Sequence, residues 1–201
     1  MPLLLLILKG VLIGICSSAP LGPIAIFVMQ STLGKGRKAG MSAAAGSSAV
    51  DTIFAAVAVF ALSMVQGVID QHYQTLKLVG VAVVVVLGVS MAFYKHRPER
   101  PNRFSKTDFA KSLVMGLGNP GAFAVMLALF AVFGFGKEDL SLFEKLVSIL
   151  SVCGGTVVYW SLFTWLLSKA KGRINVAKII WINRVAGVIV ALFGLYLFIL
   201  P

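Results

Sequence analysis

Charged residues make up only 12% of this 201-residue chain, and just seven of them are acidic. A soluble domain of this length needs a polar surface, which so few charges cannot build. The hydrophobic fraction of 59%, against ~45–50% in ordinary globular domains, points the same way. Histidine and cysteine are as rare, at two each. His72 and His96 both fall in polar connectors, so no cluster has metal-ligand spacing, and neither a metal nor another cofactor is expected. Cys16 and Cys153 lie inside apolar stretches, where they read as small packing residues rather than a disulfide. "GKGRK" (34–38) lacks both the earlier glycine and the final Ser/Thr of a phosphate-binding loop. Low-complexity segments and long linkers are missing too, and enzymatic activity is not expected.

What the chain has is apolar runs. Mean hydropathy is +0.95, and blocks long enough to cross a bilayer, for which ~20 residues suffice, recur along it. Six spans are predicted, at 10–30, 40–65, 75–94, 111–135, 145–168 and 182–200. The whole of 1–201 reads as one transmembrane domain. The N-terminal "MPLLLLILKGVLIGICSSAP" resembles a signal sequence in its apolar region only: no basic residue precedes it, and Pro20 follows its one small-residue site. It is expected to be retained.

A net charge of +11 raises the question of nucleic acid, and the distribution answers it. Lys35, Arg37 and Lys38 follow span one. Lys95, Arg97, Arg100, Arg103, Lys106 and Lys111 crowd the central connector against Glu99 and Asp108, and Lys169, Lys171, Arg173 and Lys178 follow span five. The even connectors carry Asp70, Glu138, Asp139 and Glu144, with only Lys77, Lys137 and Lys145 nearby. That alternation is the positive-inside pattern of a multi-pass protein of the cytoplasmic (inner) membrane, with both termini outside the cytoplasm. The charge reports topology; no nucleic-acid partner is expected.

The two halves, 9–94 and 111–200, echo each other. "KGVLIG" (9–14) matches "KSLVMG" (111–116), and each leads to a helix-breaking stretch, "SSAPLGP" (17–23) and "GNPGA" (118–122). "AGSSAVD" (45–51) aligns with "GGTVVYW" (154–160), and "LVGVAVVVVLG" (78–88) with "VAGVIVALFG" (185–194). Halves of three spans each must run in opposite directions, the inverted-repeat plan of many secondary transporters. The expected fold is therefore all-α, six transmembrane helices in two inverted three-helix repeats, with helices one and four broken or kinked.

Reckoned from Lys9 and Lys111, both breaks fall roughly 14–17 Å into the bilayer, near its midplane. Irregular backbone at that depth is tolerated where it is buried in protein or lines a cavity. Proline suits the first turn of a helix, so Pro23 and Pro120 are placed to begin half-helices whose free N–H groups and positive dipole ends face a central site. Such a site prefers an anion, for example a carboxylate. The alternative is that Pro20, Gly22, Pro23 and Pro120 only kink packed helices.

Asp51 is the other feature. It lies twelve residues along span two, ~18 Å deep, where a charge costs at least ~2.5–3.5 kcal/mol. The preceding residues, 40–49, are nearly all small, which lets helices approach closely and turns the acid into the bundle. It is either a proton carrier and ammonium site or a protonated structural acid. Ser17, Ser18, Ser47, Ser48 and Asn119 are candidate hydrogen-bonding groups for a substrate. Trp160, in the second-half place that Asp51 holds in the first, is a candidate cavity wall.

The stretch "APLGPIAIFVMQSTLGKGRKAGMSAAAGSSAVD" resembles the first signature of the LysE/RhtB translocators, the lysine and homoserine/threonine exporter family, and "NPGAF" (119–123) resembles that family's second-half Asn-Pro element. Where many members have contiguous Pro-Gly-Pro, this chain reads Pro20-Leu21-Gly22-Pro23. The resemblance implies export of amino acids or related small solutes driven by an ion gradient, with Pro20, Gly22, Pro23, Asp51, Asn119 and Pro120 as functional positions. The implied partners are that small molecule, protons and the lipid bilayer, and a homodimer is compatible with it. Two other classes are weighed: a divalent-metal exporter, which normally wants several converging ligands, and a membrane thiol–disulfide carrier using Cys16 and Cys153, whose places in the halves do not match.

Overall fold

The computed structural model describes residues 2–18, 23–64, 107–135 and 140–169, with isolated helical positions between 75 and 89 and between 181 and 195. The described residues form six helices: α1 (Leu3–Ser18), α2 (Pro23–Lys35), α3 (Arg37–Met64), α4 (Thr107–Leu117), α5 (Pro120–Val132) and α6 (Leu142–Lys169). Apart from those isolated positions, the spans expected at 75–94 and 182–200, and the central connector before residue 107, lie outside the described residues.

By length and composition α3 and α6 can each cross a membrane, and α4 with α5 makes a third crossing if that bent pair is one span. Their large apolar side chains stand exposed in helical register: Leu4, Leu8 and Leu12 on α1, Ile53, Val57 and Phe60 on α3, Leu146, Leu150 and Leu162 on α6. In water such stripes are a liability; against lipid they are the outer surface. The opposite faces meet in a core that includes Leu6, Ile13, Val50, Phe54, Met126, Phe130 and Val152.

Small residues set how closely the helices approach. Gly10 and Gly14, spaced four apart on α1, lie against Ser148–Val152 and Val152–Thr156 of α6 respectively, so the two helices run parallel. Gly155 returns the contact, backed on Val11 of α1. The second crossing is built the same way: Gly46 of α3 lies on Phe109–Leu113 of α4, and Gly116 of α4 lies on Val50, again in parallel. A Cβ at Gly14 would run into the Val152 carbonyl oxygen and lie 2.9 Å from the Thr156 nitrogen, both backbone atoms that cannot step aside. Gly14→Val is accordingly expected to destabilise the bundle by about 3 kcal/mol or more. Size-exclusion chromatography and thermal unfolding of the purified variant read this directly, and unaltered melting would mean α1 does not pack as described.

The turns follow local rules. Gly36, at φ +98°, joins α2 to α3, and its N–H bonds the Thr32 carbonyl at 3.0 Å. Gly134, at φ +83°, ends α5, with the Phe135 N–H closing back on the Phe130 carbonyl at 3.0 Å.

One boundary differs from expectation. α1 starts at Leu3, because the helix-favouring leucine run before Lys9 continues the same helix instead of preceding it. The Lys9 ammonium lies beside the Gly134 turn at the far end of α5.

Candidate functional site

Asp51 occupies the middle of α3, about 21 Å along the helix axis from Arg37 at ~1.5 Å per residue. It is 7% exposed. Three other helices meet around it. Its Oδ2 accepts a hydrogen bond from Ser18 Oγ at 3.1 Å, and Ser18 is the last residue of α1. The neighbouring Val50 packs on Gly116, two residues before α4 gives way to α5. One turn on, Phe54 meets Phe123 edge to face at 5.2 Å, in the first turn of α5. The small residues before Asp51, including the buried Ala43, Ala44, Ser47 and Ser48, carry this face of α3 into the bundle.

Both proline-bearing breaks border this acid. α2 begins at Pro23, with four residues between it and the end of α1 at Ser18, while Pro20 and Gly22 lie outside the described residues. α5 begins at Pro120 and meets α4 at 69° across Gly118 and Asn119. Proline stands at a first helical position in each case, where it removes no intrahelical donor. Asn119 has extended backbone (φ −105°, ψ 91°), and its side-chain oxygen accepts from the Ala122 N–H at 3.3 Å. That carboxamide oxygen is thus occupied in capping its own helix.

Trp160 of α6 is 2% exposed, and its Nε1–H has no hydrogen-bond partner among the described residues. It shares a buried cluster with Ile24, Ala25 and Val28 of α2 and Ala43 and Ala44 of α3. Tyr159 and Phe163 hold the indole edge to face, at 5.2 and 5.5 Å between centroids. The parallel register of α1 on α6 continues this arrangement: Gly10 and Gly14 step along α6 turn by turn, which places Ser18 level with the turn leading to Trp160. Of the residues singled out in the sequence, Ser18 and Asp51 are in contact, Pro120 and Asn119 form the break beside them, and Trp160 shares a cluster with residues of α2, the helix that Pro23 begins. Ser17, by contrast, turns back to the Gly14 carbonyl at 3.1 Å.

The structure adds an ion pair that charge counting does not find. Lys35, at the end of α2, reaches Asp108, in the first turn of α4, with Nζ 2.8 Å from Oδ1 and 3.1 Å from Oδ2. The two side chains are 10% and 1% exposed. The signal available in sequence was slight: Asp108 is an acid at the head of an apolar run, where a helix N-terminus favours it. Cys16 and Cys153 are free thiols, each half-buried. Among the described residues no three His, Cys, Asp or Glu side chains converge.

Comparison with known proteins adds three findings. A family model described as LysE type translocator matches residues 15–200. An uncharacterized membrane protein of Bacillus subtilis (strain 168), YrhP, is 24% identical over 189 residues, which span 87% of this chain and 89% of that protein. No solved structure matches the chain.

Proposed function

The chain belongs to the LysE type translocator family of multi-pass membrane exporters of small solutes, and from that premise we propose that it exports amino acids or close analogues across the cytoplasmic membrane by antiport with protons at Asp51. The observation that carries this reading is the placement of one buried carboxylate between two helix breaks, bonded to the end of α1 and packed beside the end of α4. A zwitterion needs an acceptor for its ammonium and donors for its carboxylate. Asp51 supplies the first, and helices that begin at the breaks supply the second. An incoming proton and an outgoing ammonium then compete for one carboxylate, which couples their movements.

The inverted-repeat plan is part of the proposal and draws support from the glycine crossings. The alignment of "KGVLIG" with "KSLVMG" pairs Gly14 with Gly116, and that of "AGSSAVD" with "GGTVVYW" pairs Gly46 with Gly155. Those four glycines sit at two close helix crossings, α1 on α6 and α4 on α3, which a two-fold relation between the halves would exchange. The proposed orientation sets Lys35, Arg37 and Lys169 toward the cytoplasm and both termini outside it.

The direct test is uptake of pooled amino acids by inside-out vesicles with an acidified lumen, compared with vesicles lacking the protein. Gradient-dependent accumulation is expected, and no accumulation of any amino acid sinks the substrate class. The breaks are tested in the same assay. Pro23→Ala allows α1 to run into α2 and is expected to lower uptake about tenfold or more. Pro120→Ala is expected to cost less, because Asn119 still caps α5. Wild-type uptake by both variants would reduce the prolines to kinks.

A further inference from the structure

The end of α2 and the starts of α3 and α4 come together at one end of the bundle, the cytoplasmic end in the orientation proposed above. Lys35 reaches Asp108 from α2 to α4, Thr32 of α2 fills the space at Gly40 of α3, and Gly46 of α3 lies on Phe109–Leu113 of α4. The repeat alignment shows what stands at the corresponding places in the other half. α2 and α5 each run thirteen residues from their proline, so the last residue of α2, Lys35, corresponds to the last of α5, Val132. The register of "KGVLIG" on "KSLVMG" sets Leu6 opposite Asp108. Leu6 is fully buried, in the core cluster that holds Phe130 and Phe135 at the end of α5. An ion pair on one side thus corresponds to apolar residues on the other.

The two kinds of contact differ in what they cost to open. Parting apolar side chains into water loses their whole hydrophobic contribution. Parting an ion pair into water returns the hydration that both charges gave up on burial, which offsets the lost attraction. Of the two, the ionic contact is the one suited to open and reseal. A second, independent observation lies one turn deeper on α4. The Ser112 side chain faces Gly46 of α3, and its Oγ is buried with no hydrogen-bond partner among the described residues. A buried hydroxyl left unpaired is rare and costly, and a state in which water enters beside it supplies the partner. One turn deeper again, Gly116 packs on Val50, the neighbour of Asp51. From Asp108 to Gly116 is about 12 Å along the helix. The pair, the unpaired hydroxyl and the buried acid therefore follow one another along the seam between α3 and α4.

We propose that the Lys35–Asp108 pair is the latch of the cytoplasmic entrance: solute reaches Asp51 when the pair parts and water follows the α3–α4 seam past Ser112. The inference rests on the exporter reading above and adds the contact that controls access. α2 and α3 belong to the first half of the chain and α4 to the second. Rocking of one half against the other, the usual motion of inverted-repeat transporters, separates Lys35 from Asp108 and Gly46 from Ser112 in one movement. The contact of Thr32 with Gly40, made within the first half, travels with it unbroken. Lys35 and Asp108 act on transport through access, without touching the solute.

The experiment uses the full chain in inside-out vesicles, carrying Ser112→Cys with Cys16 and Cys153 replaced by Ser, so that position 112 holds the sole thiol. A membrane-impermeant maleimide is added to the exposed cytoplasmic face, and its labelling rate is read beside amino-acid uptake and melting temperature. Asp108→Asn is expected to label about tenfold faster or more than the parent. Lys35→Met with Asp108→Leu replaces the latch by an apolar contact like that of the other half. It is expected to label, and to accumulate amino acids, about tenfold more slowly or less, while its melting temperature stays near the parent's. A pair that serves stability alone leaves labelling and uptake of this double variant at the parent's rates, and that result overturns the latch. Labelling from the opposite face only overturns it as well. Where Asp108→Asn does not purify, the double variant decides alone. Labelling that changes as expected without accumulation of any amino acid keeps the latch and sinks the substrate class; accumulation with unchanged labelling does the reverse.

Discussion

Asp51→Asn is expected to abolish the response of solute export to an imposed pH gradient while the protein still inserts and purifies. Asparagine keeps the size of the side chain and can still accept from Ser18, so the 3.1 Å contact that ties α3 to the end of α1 survives. What it loses is the ability to take up and release a proton and to hold an ammonium by charge. Removing a buried, mid-span ionisable group that has no cationic side-chain partner among the described residues also relieves a cost, so the variant is expected to be at least as stable as the parent. Stability and transport therefore move apart, which a purely structural acid cannot produce. Asp51→Glu keeps the charge about one methylene out of place, and a loss near 10²-fold is the expected scale. Uptake by the Asn variant that still follows the pH gradient would leave Asp51 a packing role only.

The Lys35–Asp108 pair behaves in the opposite sense. Asp108→Ala leaves an ammonium that is 10% exposed facing no carboxylate, and breaking a buried pair on one side costs about 3–5 kcal/mol. The expected result is a large fall in thermal stability of the purified protein. Replacing both partners, Lys35→Met with Asp108→Leu, is expected to restore most of it, because the desolvation of two charges disappears together with their attraction. A double-mutant cycle on melting temperature measures the coupling. An Asp108→Ala protein that melts like the parent would show the pair to be solvated and of little consequence.

Which parts of this arrangement the sequence disclosed follows from the range of the interactions. Pro23 and Pro120 head helices because proline's fixed φ and missing N–H act locally, and a reader of the chain can place them. Asp51 is buried because it follows a run of small residues at mid-span, which is also a local pattern. Its partner was not legible: Ser18 lies 33 positions away, and one of two adjacent serines takes the contact while Ser17 turns back on its own helix. Lys35 and Asp108 are 73 positions apart and belong, by sequence, to two different basic connectors, so counting charge assigns them to topology and misses their attraction. Asn119 was read as a group offered to a substrate; that its oxygen also caps α5, accepting from the Ala122 N–H, was not read from the chain. Lys9 suggested a helix boundary that Leu3 supersedes, since one lysine does not interrupt a strongly helical leucine run.

The glycine crossings bear on how the protein is made. α1 leaves the ribosome well before α6, yet the face it presents at Gly10 and Gly14 is closed by Ser148–Thr156 of that helix. At about 5–20 residues per second, that partner arrives on the order of ten seconds later. Gly46 on α3 likewise waits for α4. The faces at Gly10, Gly14 and Gly46 are closed only across the halves, so a half synthesised alone enters the bilayer with those faces open, and membrane insertion precedes their packing by a measurable interval. Halves encoded as two co-translated chains are therefore expected to make the same glycine contacts as one chain, a result that co-purification of the two would read.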